Sequence, residues 1–132
     1  MVAFFLTASA IMSDQSILFF ATSSPTTLSP TDTIEVDVNI NSKVPIDAVG
    51  ASITFPPGQM EIVSVSKNKS LLDLWTEDII VSEKEGKITF SGGTTAPNGH
   101  MGTGTLISFT LRGKTPGTAH ISFEDFSIYP HD

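Results

Sequence analysis

A chain of 132 residues with 39% hydrophobic and 16% charged residues has the length and apolar content for one domain around one core. Seven basic against fourteen acidic residues give a formal net charge of −7, which argues against a nucleic-acid partner, because phosphate recognition needs clustered Lys and Arg. There is no cysteine, so disulfides, thiolate chemistry and thiolate zinc sites are excluded.

In chain order, "MVAFFLTASA" offers a short apolar run, Val2 to Leu6, and then Ala8-Ser9-Ala10, which has the shape of a signal-peptidase site. Residues 1–10 are expected to be the remnant of a truncated signal peptide, although no Lys or Arg precedes the run. The other reading of these residues is an ordinary apolar first strand. No run approaches the roughly 20 apolar residues of a membrane helix. Ile17 to Ala21 reads as a strand and "SSPTTLSPTD" as a loop. Ile34, Val36, Val38 and Ile40 alternate with Glu35, Asp37, Asn39 and Asn41, the pattern of a half-buried antiparallel strand. Val49, Ala51, Ile53 and Phe55 are the buried set of the next strand.

That strand must stop at Pro56-Pro57, which cannot donate to a ladder, and Gly58 is expected to let the chain reverse. In Met60 to Ser66 the apolar phase slips, from Met60 and Ile62 to Val63 and Val65. Such a slip is what a β-bulge or a crossing between two sheets produces. "SLLDLW", Ser70 to Trp75, is the one place for a helical turn, with Ser70 as its cap. Ile79 to Ser82 and Lys87 to Ser91 are two short strands around "EKEG", followed by a Gly-rich loop over Gly92 to Gly104. Thr105 to Arg112 and Thr118 to Phe123 are strands, the latter continuing over Phe126 to Tyr129 after a bulge. Eight or nine short strands at this spacing predict an all-β sandwich spanning 16–130.

Residues that could carry chemistry are scattered. His100, His120 and His131 share no metal-ligand spacing and are expected to be solvated. "GGTTAPNGHMGTG" lacks the Lys and the following helix of a phosphate loop. The paired acids Glu77-Asp78, Glu83 with Glu85, and Glu124-Asp125 sit at strand ends and turns, where a solvated role outweighs glycoside hydrolysis. Calcium binding at Asp47 or Glu124-Asp125 is disfavoured because no loop places acids at alternate positions. No Gly-x-Ser-x-Gly elbow exists. The chain is therefore read as non-catalytic, without metal or cofactor of its own. Asn68-Lys69-Ser70 fits a glycosylation sequon, a tripeptide that also arises by chance. Trp75, the single tryptophan, is either a sugar-stacking platform or, with Leu71, Leu72 and Leu74, a cover over the core edge; Tyr129 poses the same alternative.

The segment "DTIEVDVNINSKVPIDAVGASITFPPGQMEIVSVSKNKSLLDLW" resembles the cohesin domain. Phe55, Pro57, Met60, Glu61, Ile62, Val63, Ser64 and Val65 carry the likeness to the family's "F-x-P-x-x-L-E-V-V-S-V" segment. "GKITFSGG" and "GTGTLISFTLRGKTPGTAHISF" are similar to its later core strands. The resemblance, over Ile17 to Tyr129, implies a nine-stranded antiparallel jelly-roll β-sandwich of the cellulose-binding-module superfamily. It implies an extracellular or cell-surface module, part of a longer parent, that binds a dockerin-type protein with calcium supplied through that partner. "GGTTAPNGHMGTG" replaces the family's acidic, Asn-rich segment. The expected partner-binding residues are Asp37, Asn39, Ser52 and Thr54 on one flat sheet face. The alternatives are a carbohydrate-binding module, using Trp75 and Tyr129 on a polysaccharide, and a structural spacer in a bacterial surface protein.

Overall fold

The computed structural model describes residues 4–13, 15–22, 27–28 and 32–132. Their ten strands are β1 (Phe4–Ala8), β2 (Ile11–Met12), β3 (Ser16–Thr22), β4 (Thr27–Leu28), β5 (Thr33–Thr54), β6 (Met60–Ser66), β7 (Leu74–Ser82), β8 (Lys87–Gly93), β9 (His100–Gly113) and β10 (Gly117–Pro130). No helix forms among the described residues. Most of the expected loop from Ser23 to Asp32 falls outside them.

The architecture turns on β5. The two strands expected at Ile34 to Asn41 and Val49 to Phe55 are one strand of 22 residues. Its first part, Thr33 to Ser42, lies between β3 and β9, and its second, Ile46 to Thr54, between β10 and β8. One layer is therefore β2-β3-β5-β9-β6 and the other β4-β1-β10-β5-β8-β7. The crossing is local. Against β9, the pairing jumps from Ser42↔Gly102 to Ile46↔His100, so four positions of β5 pass while β9 advances by two. Pro45 removes one ladder donor at this point. Ser42, 2% exposed, accepts from Ser16 Oγ at 2.8 Å and donates to the Val44 carbonyl at 2.6 Å. Beyond the crossing the buried phase shifts from the even positions Ile34 to Ile46 to the odd positions Val49 to Phe55.

Both layers turn apolar rows inward. Ile34, Val36 and Val38 pair with Leu111, Phe109 and Ile107 of β9 within one layer; Ile53, Ile88, Phe90 and Ile121 supply the other. Phe20 of β3 stacks on Phe123 of β10, with ring centroids 4.4 Å apart and planes within 12°.

The slip in Met60–Ser66 is a bulge between Ile62 and Ser64, and the register shift between Phe123 and Asp125 is the bulge expected in β10. Pro56-Pro57 does end the strand and hand the chain from one layer to the other, with Gln59 N and Met60 N both donating to the Pro56 carbonyl at 3.1 Å. The chain reverses there with Gly58 in the turn but without a positive φ; the left-handed glycines are Gly86, Gly99, Gly102 and Gly117. The expected loop over Gly92 to Gly104 shrinks to Thr94–Gly99, because β8 and β9 extend into it. Ser70 to Trp75 forms no helical turn. Ser70 Oγ instead accepts the Leu72 amide at 2.9 Å, Ser70 bridges to Thr105, and Leu74 and Trp75 open β7.

The sandwich also departs from a purely antiparallel one. β1 runs parallel to β10, from Phe4↔Gly117 to Ala8↔Ile121, with Leu6 buried at 4% exposure. Leu6 then adds to the core beside Ala119 and Ile121.

Candidate binding face

The crossing of β5 decides where the expected contact residues fall. Asp37 and Asn39 point outward from the β3-β5-β9-β6 layer, because Val36, Val38 and Ile40 between them are buried. Ser52 and Thr54 point outward from the β10-β5-β8-β7 layer, because Ala51 and Ile53 are buried there. The four residues lie on opposite outer faces and form no common surface. Period-two alternation carried across the crossing cannot reveal this, since the strand changes layers while its polar positions continue.

Asp37 and Asn39 belong to a hydrogen-bonded cluster. Asp37 accepts from Ser108 Oγ at 2.7 Å, and Asn39 Oδ1 accepts from Thr105 Oγ1 at 2.9 Å. Lys69 Nζ lies 2.7 Å from Glu35 and 3.4 Å from Asp37; the Glu35 hydrogen bond, with help from Asp37, raises the Lys69 pKa.

The other face is built differently. Four strands lie side by side in the order β10-β5-β8-β7, and their registers set outward-facing rows. The rows are Tyr129, Ala48, Gly93, Leu74; then Ser127, Gly50, Ser91, Glu77; then Asp125, Ser52, Thr89, Ile80; and Ser122, Thr54, Lys87, Ser82. The floor on β5 and β8 is made of Ala48, Gly50, Ser52, Ser91 and Gly93. A Cβ at Gly50 would lie 3.2 Å from Ser91 Oγ, and one at Gly93 3.6 Å from Ala48 Cβ, so both glycines lower the same floor. The flanks rise. Tyr129 is 57%, Leu74 57% and Ile80 56% exposed. Three strand spacings separate β10 from β7, about 14 Å at ~4.8 Å each.

Polar contacts close one end of this trough, where Thr54 Oγ1 and Ser122 Oγ are 3.0 Å apart and Lys87 pairs with Glu124 at 2.8 Å; further along the β7 side, Thr76 Oγ1 donates to Ser91 Oγ at 3.0 Å. That Glu124 hydrogen bond raises the Lys87 pKa. Sequence reasoning found Ser52, Thr54 and Tyr129 here and missed Ala48, Gly50, Gly93, Leu74 and Ile80. Gly50 and the Gly92-Gly93 pair inside strand patterns were the available signal, because glycine in a strand marks close approach of another chain or backbone.

Trp75 is on the other side of this sheet from Tyr129. It pairs with Gly92, packs against the core, and carries Lys67 Nζ 4.6 Å above its ring. Lys67 also pairs with Asp78 at 2.5 Å. This is the core-edge arrangement of the two considered, and it leaves Tyr129 as the aromatic ring on the trough.

His120 is exposed as expected, while His131 is partly buried and bonded and His100 is enclosed where solvation was expected. The two ring nitrogens of His120 lie 2.6 Å from Thr7 Oγ1 and 2.8 Å from Ser9 Oγ, fastening β1 to β10. His131 Nδ1 is 2.7 Å from Asp47, and His100 Nε2 is buried without a hydrogen-bond partner among the described residues. No group of three or more His, Asp or Glu able to hold a metal occurs among them. Among the described residues no helix is long and apolar enough to cross a membrane.

Solved structures share this fold. A type II cohesin module from the adaptor scaffoldin of Acetivibrio cellulolyticus superposes with a TM-score of 0.65 at 16% identity, covering 90% of this chain and 87% of that one. A non-cellulosomal cohesin from the archaeon Archaeoglobus fulgidus gives 0.63 at 17% identity, over 97% and 75%. The chain has a cohesin-like fold. A third neighbour, from a type I cohesin–dockerin complex of Clostridium thermocellum, gives 0.60 at 18% identity, over 76% and 77%. No family model matches the chain, and no curated protein matches it. The cohesin-like sandwich thus agrees with the resemblance read from Phe55 to Val65 and the later core strands, although sequence identity stays low.

Proposed function

We propose that this chain is a non-catalytic protein-binding module that presents the outer face of β10-β5-β8-β7 to a dockerin-type partner. The observation that carries the reading is the trough of Ala48, Gly50, Ser52, Ser91 and Gly93 between the exposed Tyr129, Leu74 and Ile80. A floor of small side chains lets a partner's backbone approach closely, and exposed apolar flanks within a polar rim are the anatomy of a protein interface. The cohesin-like fold supports the same reading, since a neighbour of this fold was solved in complex with a dockerin. The module works at the cell surface or outside the cell, as part of a larger assembly, and calcium enters through the partner.

Affinity capture of dockerin-bearing proteins, with and without calcium, tests this. Calcium-dependent capture is expected, lost in Ser52→Arg and kept in Ser64→Arg, which lies in the opposite layer. Absence of capture under both conditions sinks the reading. Retention on insoluble cellulose without dockerin capture would favour the polysaccharide alternative.

A further inference from the structure

We infer that Asn68 is an N-glycan acceptor, placed on a fastened turn away from the binding face. Of the four asparagines, Asn39, Asn41, Asn68 and Asn98, only Asn68 has Ser or Thr two positions on. The intervening residue is Lys69 and not proline, as the acceptor sequence requires.

The structure adds what the tripeptide alone lacks. Ser70 N donates to the Lys67 carbonyl at 3.0 Å, so Lys67 to Ser70 is a closed β-turn with Asn68 at its second position. The two neighbours are held in different directions. Lys67 reaches Trp75 and Asp78, and Lys69 reaches Glu35 and Asp37. Asn68 stands between them, exposed, its amide nitrogen bonded to Ser66 Oγ at 3.1 Å and its side chain without a hydrogen bond among the described residues. A bulky, hydrated substituent on that side chain displaces no native contact. The turn follows β6, in the layer opposite Ser52, Gly50 and Ser91, so the substituent leaves the trough open.

The chemistry is glycosyl transfer from a lipid-linked oligosaccharide. The Asn68 carboxamide nitrogen bonds to the anomeric carbon as that carbon's bond to the lipid phosphate breaks. The phosphate leaves with the bonding electron pair, and the amide releases one proton. The inference rests on the reading of the chain as an exported module; the test supplies export separately, so the two fail separately.

The chain is secreted behind a leader from a host with N-glycosylation machinery, and the product is measured by intact mass and peptide mapping. One glycan mass on the peptide containing Asn68 is expected. It disappears in Asn68→Gln and after enzymatic removal of N-glycans, and it persists in Ser70→Thr. Secreted protein with Asn68 unmodified, or a mass shift that survives Asn68→Gln, overturns the inference. Peptide mapping of the unsubstituted chain gives the answer even where a variant is poorly secreted.

Discussion

Replacing Gly86 by alanine tests the joint between the β7-β8 hairpin and the proline corner. Gly86 has φ +69°, and an added Cβ would run into the Phe55 carbonyl oxygen and lie 2.7 Å from Pro57 Cδ. Its carbonyl accepts the Phe55 amide at 2.9 Å, and its own amide donates to Ser82 O at 2.8 Å. The left-handed conformation costs a non-glycine residue about 1–2 kcal/mol. A disturbed Phe55–Gly86 hydrogen bond costs about 1 kcal/mol more. Relief of the overlap with backbone and a proline ring adds on the order of 1–2 kcal/mol, the usual range for overpacking. Lower entropy of the unfolded chain returns roughly 0.4–1 kcal/mol. The net loss is about 3 kcal/mol. An unfolding entropy of about 2.1 cal/mol/K per residue, over 132 residues, turns this into a fall in Tm of roughly 10 °C. Gly58→Ala is the matched control: its φ is not positive and nothing lies within 4 Å of an added Cβ. It should move Tm by no more than about 3 °C, in the stabilising direction. Calorimetry on the two variants decides. A Gly86→Ala protein that melts within about 3 °C of the parent, or a Gly58→Ala protein that melts as low as Gly86→Ala, refutes the reasoning.

Phe109→Ala, at a position 1% exposed on β9 between β5 and β6, should cost about 3–5 kcal/mol in urea unfolding, as deletion of a buried aromatic ring does. Lys67→Ala removes the cation above the only tryptophan and one exposed ion pair, so stability should change by less than about 1 kcal/mol while Trp75 fluorescence shifts to the red. Asp73 accepts the Thr95 hydroxyl at 2.5 Å and the Thr95 amide at 2.9 Å, and these bonds, the hydroxyl first, lower its pKa. A lowered folded-state value means the stabilisation is complete above the ordinary aspartate value of 3.8 and is lost as pH falls from there through the folded-state value. Asp73→Asn should therefore flatten the acid limb of the stability profile below that pH and leave its neutral region the less stable of the two; identical acid limbs would contradict the assignment.

What could be read from the sequence follows the range of the interactions involved. The rows Ile34 to Ile40 and Val49 to Phe55, the bulges at Val63 and after Phe123, and the stop at Pro56-Pro57 are all written in period and local chemistry, and each forms where expected. Which glycines are left-handed was not legible in the local sequence. The turn after Pro57 closes onto the Pro56 carbonyl without needing Gly58, while Gly86 is constrained by Phe55 and Pro57, some thirty positions earlier in the chain. The helical turn at Ser70 to Trp75 failed for a similar reason: ladder bonds from Leu74 and Trp75 to Gly93 and Gly92 hold the segment extended. Of the candidate face, Ser52 and Thr54 were legible because they are polar and alternate, whereas a floor of Ala48, Gly50 and Gly93 shows itself only when β5 and β8 are laid in register.

The same strand pairings explain why the face, and not an edge, is the surface to test. Among the described residues β6 pairs only with β9 and β7 only with β8, so each has one edge without a strand partner, although on β6 the Ile62 amide donates to Glu83 at 2.8 Å. Both edges are interrupted. β6 is bulged between Ile62 and Ser64, and β7 is irregular between Trp75 and Glu77 and again between Glu77 and Ile80. A bulge twists an edge away from the regular spacing that a second strand would need. Edge-to-edge pairing is thereby weakened at β7, the strand whose Leu74 and Ile80 side chains flank the trough. Those side chains remain available to a partner lying across the sheet, over the small-residue floor of β5 and β8.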